Sequence, residues 1–268
     1  TVDTGTYKGD QASPVDQPGA VEARVVTQRF APIGRVDVTT DRRWVFPTDY
    51  DLPQNIDQFD KLRLLSDPQS KYVTNAVLGL GRKKDLEICQ AFTGTSKTGV
   101  NGGTSTIFTA ANEVDVNTGG TNTRINFDKI RAVKELMMAN HIDFDMEEAY
   151  IGITAKDHSA LLNEVQLTST NFKGGDAPVL QSGKITEFLG FKFVHCELIE
   201  TVLAGTNEVT LTVWVKSGMH LGMWNDITVK ISERNDLSGI PWQAYCYMTI
   251  GATRLEEKKV YAIESYRA

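Results

Sequence analysis

The residues of this chain that could do chemistry are four histidines, three cysteines, a short run of acids and one stretch resembling a phosphate loop. His141, His158, His195 and His220 fall in neither an HExxH nor any paired metal-ligand spacing. His195 and Cys196 are neighbours on a predicted strand, so their side chains point to opposite faces and cannot serve each other as base and nucleophile. Asp143, Asp145, Glu147 and Glu148 could suit a hard cation. They lack the mid-loop glycine and distant glutamate of a calcium loop, which predicts a solvated helix-to-strand turn instead. Thr93 to Thr98 looks like a phosphate loop, but no glycine stands directly before Lys97 and the segment follows a helix rather than a strand. There is no GxSxG elbow, dinucleotide glycine fingerprint or CxxC. The expectation is a protein with no catalytic residue, no cofactor and no metal.

Composition points the same way. A hydrophobic content of 41% supports a packed core. A net charge of −6 argues against a protein that coats nucleic acid by displacing counterions, though not against one that encloses it. Cys89, Cys196 and Cys246 are odd in number and widely spaced, and read as reduced core residues. No apolar run approaches the roughly 20 residues of a membrane span, and neither a signal peptide nor an internal repeat is recognised.

The elements that would position these residues follow in order. Residues 1–20 are polar, broken by Gly5, Gly9, Pro14 and Pro18, and predict an extended arm that must lie on another surface if ordered. Residues 21–66 show strand character around Val25, Val36 and Trp44 and no helical period, a long stretch with no core of its own. Charge is sorted along it: Arg24, Arg29, Arg35, Arg42 and Arg43 precede Asp49, Asp51, Asp57 and Asp60. That pattern predicts a projecting ribbon that gains burial and ion pairs on a neighbouring copy; the bland alternative is a hairpin folded on its own domain.

A helix is predicted over 67–92, with Asp67 as cap, Pro68 in the first position and Tyr72, Val73, Ala76, Val77, Leu80, Ile88 and Phe92 inward. A strand is predicted within Thr106 to Val116, and a second helix runs from an Asn126 cap to Asn140. A buried strand at 149–154, a helix over 155–165, a polar loop over 166–183 and strands at 188–194 and 209–215 follow. Ile227, Val229 and Ile231 alternate with polar residues, as do Trp242, Ala244, Cys246, Met248, Ile250 and Ala252, and the strand pattern resumes at Val260.

The string from Lys216-Ser217-Gly218 through Ile231-Ser232-Glu233-Arg234 to Gly251-Ala252-Thr253-Arg254-Leu255-Glu256-Glu257 resembles the C-terminal part of tailed-bacteriophage major capsid proteins of the Hong Kong 97-like fold. Pro14-Val15-Asp16-Gln17, Arg42-Arg43-Trp44-Val45-Phe46-Pro47, Asp60-Lys61-Leu62-Arg63 and Phe188-Leu189-Gly190-Phe191-Lys192-Phe193 are similar to the same family in the same order, over nearly the whole chain. The resemblance implies an α+β fold with an N-terminal arm (1–20), an extended loop (21–66), a peripheral domain (67–149 and 240–268) with a spine helix over 67–92, and an axial domain (150–239). It implies a shell built from pentamers and hexamers, a portal and scaffolding or decoration proteins as partners, enclosed double-stranded DNA, no membrane, and assembly in the host cytoplasm. Arg24, Arg29, Arg42, Arg43, Trp44, Asp49, Asp57, Glu233 and Arg234 are the expected assembly contacts, the last two near the tip of the compact lobe. The alternative within the fold is an encapsulin-like nanocompartment. Outside it stand a hydrolase with dispersed active-site residues, which a monomeric state would favour, and an elongated tail or adhesion module.

Overall fold

A computed structural model of the chain describes residues 1–9, 13–19, 40–57, 68–118, 120–164, 185–205 and 207–267, with single positions between 21 and 38. Arg24, Arg29, Asp60, the Asp67 cap and the 166–183 loop lie outside the described residues.

β1 (Asp3–Thr6) and β2 (Ser13–Pro18) come from the polar N-terminal stretch. β3 (Thr40–Val45) and β4 (Thr48–Ile56) flank Phe46-Pro47, where proline cannot donate a ladder hydrogen bond. α1 (Pro68–Thr93) is the long helix. β5 (Ser96–Thr98) and β6 (Thr104–Thr106) pair across a turn in which Gly99 and Gly102 adopt positive φ. A 3-10 turn over Ala110–Asn112 leads to β7 (Glu113–Val114), and β8 (Asn117–Thr118) and β9 (Thr121–Asn122) form a small hairpin. The single strand expected over Thr106 to Val116 is thus broken in two. α2 (Phe127–Ala139) begins as its sequence predicts, with the Asn126 side chain accepting the Lys129 backbone N–H at 3.0 Å. β10 (Ala149–Ile153) is buried throughout, and α3 (Ala155–Leu162) is capped by the Thr154 hydroxyl. β11 (Glu187–Phe188) and β12 (Phe191–His195) replace the one strand expected at 188–194, because Leu189 and Gly190 turn at φ 54° and 85°. α4 (Leu198–Val202), β13 (Glu208–Val215), β14 (Met219–Glu233), β15 (Trp242–Arg254) and β16 (Val260–Tyr266) complete the chain.

Beside the β8–β9 hairpin and a four-stranded sheet in the order β2-β3-β5-β6, these elements sort into two main sheets. The first is four-stranded, in the order β1-β14-β15-β4. β15 buries Ala244, Cys246, Met248 and Ile250 and half-buries the residues between them. Ala76 and Leu80 of α1 pack against that buried row, as expected for a strand with one covered face. β14 starts earlier than its two-periodic stretch predicts, at Met219, because bulges between Met223 and Thr228 let the strand continue with its faces reset. The second sheet is six-stranded, in the order β11-β12-β10-β13-β16-β7. Ile130, Val133 and Met137 of α2 and Leu161 of α3 share one core with Ile151, Phe191, Leu211, Val213 and Ile263 of this sheet. α1 touches both units, since farther along it Phe92 clusters with Tyr150, Trp214, Met219 and Val260. Tyr72, expected on the buried stripe, is 40% exposed.

Sheet pairing divides the chain differently from the sequence expectation. β14, assigned to the compact lobe, pairs with β15 and β1, whereas β16 and α2, assigned to the elongated one, join the six-stranded unit. The reason is burial on both faces. Val260, Tyr261, Ala262 and Ile263 are all buried, so β16 needs neighbours on both edges and cover above and below. Thr48–Ile56 also differs, since it pairs along its length with β15 rather than projecting.

Candidate assembly surfaces

The arm docks on its own chain. β1 adds in parallel to β14, with Asp3 opposite His220 and Thr6 opposite Met223. The Trp214 indole N–H donates to the Thr1 carbonyl at 2.9 Å. His220 is buried, its Nε2 2.7 Å from the Tyr7 hydroxyl and its Nδ1 3.3 Å from Asp3 Oδ2. It is a structural residue that fastens the arm to the sheet. His195 pairs on the surface with Glu197 at 2.8 Å.

The described charges of the ribbon have partners within the subunit. Arg42 is exposed and donates to Asp16 at 2.9 Å across the β2–β3 pair. Arg43, expected to face a neighbour, is only 6% exposed; its guanidinium lies 3.4 Å from Glu257, and its Nε and Nη1 make no hydrogen bond among the described residues. Trp44 turns inward, its indole N–H donating to the Gly99 carbonyl at 2.6 Å. Asp49 accepts the Thr249 hydroxyl at 2.6 Å, and Asp51 lies within 3.4 Å of the Tyr245 hydroxyl. Asp57 is exposed beyond the end of β4. Glu233 and Arg234 sit at the tip of the β14–β15 hairpin, not on the six-stranded unit. There Arg234 grips Asp236 in a two-pronged pair, 2.6 Å on each arm, which holds the Asp236 carboxyl down at about 2. Among the described residues, Arg42 and Asp16 of the strand pair and Glu233 at this hairpin tip are exposed.

The acid run after α2 is not simply solvated. Lys192 pairs with Glu148 and, with the Tyr150 hydroxyl, holds its carboxyl down at about 2. Lys259 pairs with Glu147 at 3.0 Å. The turn is thereby tied to β12 and to the segment before β16. The supposed phosphate loop is occupied too, as Ser96 and Thr98 are buried in the β3-β5-β6 ladder.

Three buried polar centres were not legible in sequence. Arg254, read as part of a charged turn, has no exposed surface. It donates to the carbonyls of Ala91, Phe92 and Gly94 at 3.2, 2.8 and 2.5 Å and to Glu257 at 3.0 Å, capping the C-terminal end of α1. Lys129 donates from within the fold to the carbonyls of Val116, Thr123 and Glu264 at 3.0, 2.8 and 2.7 Å. Burial lowers its pKa to about 8. Asp157 is fully buried and receives Arg267, Ser265 at 2.6 Å and Thr154 at 2.6 Å. Burial pushes its carboxyl up, but these hydrogen bonds outweigh it and the net shift is downward. Among the described residues no group of three or more His, Cys, Asp or Glu side chains is arranged to hold a metal, and no helix is long and apolar enough to cross a membrane.

A family model described as phage capsid protein matches residues 1–266. The chain belongs to the phage capsid protein family. No curated protein matches it. Among solved structures, the capsid of cyanophage P-SCSP1u is similar over 100% of this chain and 86% of its own, at 13% identity and a TM-score of 0.72. The capsid of Helicobacter pylori bacteriophage KHP30 is similar over 99% and 87%, at 10% identity and a TM-score of 0.73. A Mycobacterium phage Che8 chain is similar over 96% and 85%, at 15% identity and a TM-score of 0.68. At such identities the likeness speaks for the fold, and the fold is the Hong Kong 97-like capsid fold. The protein is a major capsid protein of the phage head shell, located in the virion. The nanocompartment alternative gains no support.

Proposed function

We propose that this capsid protein works by repetition of one subunit surface, as pentamers and hexamers that close into an icosahedral shell around double-stranded DNA. The observation that carries the reading is the family match across residues 1–266. In this reading the six-stranded unit is the axial domain, meeting its copies around the symmetry axes. The four-stranded sheet with α1 is the peripheral domain, and its β14–β15 tip reaches a neighbour. Arg42, Asp49, Asp57, Glu233 and Arg234 are contact residues, joined by Arg24 and Arg29 of the 21–66 loop. Arg43 and Trp44 act indirectly by fixing the base of the ribbon. A portal and a scaffolding or decoration protein complete the particle, and assembly takes place in the host cytoplasm. The −6 charge fits a container that holds DNA without gripping it. Many weak contacts sum through multivalency, so no single pair needs to be strong.

The test is negative-stain imaging and sedimentation of the purified chain beside an Arg42→Glu variant. Closed particles from the unmodified chain, and fewer or smaller ones from the variant at moderate salt, are expected. A monomer at high concentration, with no particle under any condition that supports assembly of related capsids, would overturn the reading.

A further inference from the structure

The thiols of Cys89 and Cys196 stand 3.8 Å apart, sulfur to sulfur, in van der Waals contact. None of the assembly surfaces uses them. Cys89 is buried on α1, and Cys196 is half-buried between β12 and α4. Both are held by rigid backbone: Cys89 lies inside a 26-residue helix, and the Cys196 N–H donates to the Ile153 carbonyl of β10 at 3.0 Å. A cavity of about 130 Å³ reaches them, lined also by Thr1, Asp85, His195 and Trp214. One water occupies about 30 Å³ of liquid, so a molecule of peroxide size fits there.

We propose that Cys89 and Cys196 form an oxidation site, closing a disulfide that ties α1 to the six-stranded sheet once the protein meets an oxidising medium. The roles of the two sulfurs are unequal. The hydrogen bond with Cys89 lowers the Cys196 thiol to about 6 against the opposing effect of burial, and the backbone N–H groups of Leu198 and Ile199 help. That same hydrogen bond, with burial, pushes Cys89 upward. Cys196, the less buried of the two and the one whose thiol is lowered, is the nucleophile. With a peroxide as oxidant, the Cys196 thiolate attacks one peroxide oxygen and the O–O bond breaks. Cys196 becomes a sulfenic acid, and the departing hydroxide takes up a proton as water. The Cys89 sulfur then attacks the sulfenic sulfur, the S–O bond breaks, and hydroxide leaves with the Cys89 proton as a second water. The two thiols lose two electrons, and hydrogen peroxide is reduced to two waters. In a reducing cytosol the pair stays open, while outside the cell closure is favoured. Cys246 lies fully buried on β15 with other neighbours and serves as an internal control.

The bridge would link residues 107 positions apart, a long loop to remove from the unfolded chain. The experiment treats the purified chain, assembled or not, with dilute hydrogen peroxide, blocks free thiols after unfolding, and maps peptides without reduction. Expected are one linked Cys89–Cys196 peptide lighter by two hydrogens, an alkylatable Cys246, and a melting temperature about 10 °C above that of the reduced protein. Cys89→Ala and Cys196→Ala should each abolish both the link and the shift. Because either variant could fold poorly, the peptide map of the unmodified chain stands by itself. Free Cys89 after exhaustive oxidation, a sulfinic acid on Cys196 with Cys89 intact, a link through Cys246 or between two chains, or an unchanged melting temperature would each overturn the proposal. The linkage is read on the chain whether or not it builds a shell, so its failure and that of the capsid reading are separable.

Discussion

Replacing Arg254 by alanine should destabilise the subunit by about 4 kcal/mol, the range found when one partner of a buried charge pair is removed. The figure follows from what the guanidinium holds. It donates to three carbonyls at the end of α1 and to Glu257, and lies 5.5 Å from the centroid of the Phe108 ring. Hydrogen bonds from a charged donor contribute about 1.5–3 kcal/mol each, a cation over a ring about 1, and a cation at a helix C-terminus about 0.5, without adding in full. The variant would leave those carbonyls without their cation and Glu257 with Arg43, at 3.4 Å, as its remaining one. Urea unfolding of unassembled subunit, followed by tryptophan fluorescence at two protein concentrations, isolates the folding term from assembly. A drop in melting temperature of about 10 °C should accompany it. Arg254→Lys keeps the charge but cannot fork between the carbonyls and Glu257, and should lose about half as much. An Arg254→Ala subunit within about 0.5 kcal/mol of the unmodified one would refute the capping argument.

Lys129 has a folded pKa of about 8 against an ordinary 10.5, so between those values the unfolded chain binds more protons and stability should rise with pH, by at most about 3 kcal/mol. Comparing the urea midpoints of the unmodified chain and Lys129→Met across that window should show the gap widening with pH; a constant gap contradicts the burial argument. Glu113 is the opposite case, raised to about 7 by burial, by its hydrogen bond to Glu264 and by the charges of Glu264, Glu208 and Asp115. Its contribution is complete below about 4.5 and is lost as pH climbs through 7, so Glu113→Gln should flatten the decline in stability over that interval. At Gly251 an added Cβ would come 2.1 Å from the Phe46 carbonyl oxygen, so Gly251→Ala should cost about 3 kcal/mol in urea unfolding or prevent soluble expression; near-neutral behaviour would mean the β3–β4 turn moves freely.

Local pattern determined a good deal. The alternation of Ala244, Cys246, Met248 and Ile250 made a strand with one buried row, and a spaced apolar stripe made α1. Asn126 and Thr154 started helices where a side-chain acceptor can meet a free backbone N–H. These rest on neighbours in sequence, so they could be read there, and the ordered strings across the chain pointed to the capsid family.

Partners across long separations were decided only by tertiary structure. Nothing near Val260 says that it pairs with Trp214 and not with β15, because a run buried on both faces fits the middle of any sheet. Arg43 and Arg254 look like surface charges in sequence, yet both are buried around Glu257, since long side chains can reach inward to carbonyls and a carboxylate that folding brings near. Cys89 and Cys196 lie 107 positions apart, and only the packing of α1 on the six-stranded sheet sets their sulfurs side by side. Residue type and spacing fix what a segment prefers; which distant segment satisfies it depends on the one arrangement that buries apolar surface and pairs the polar groups together.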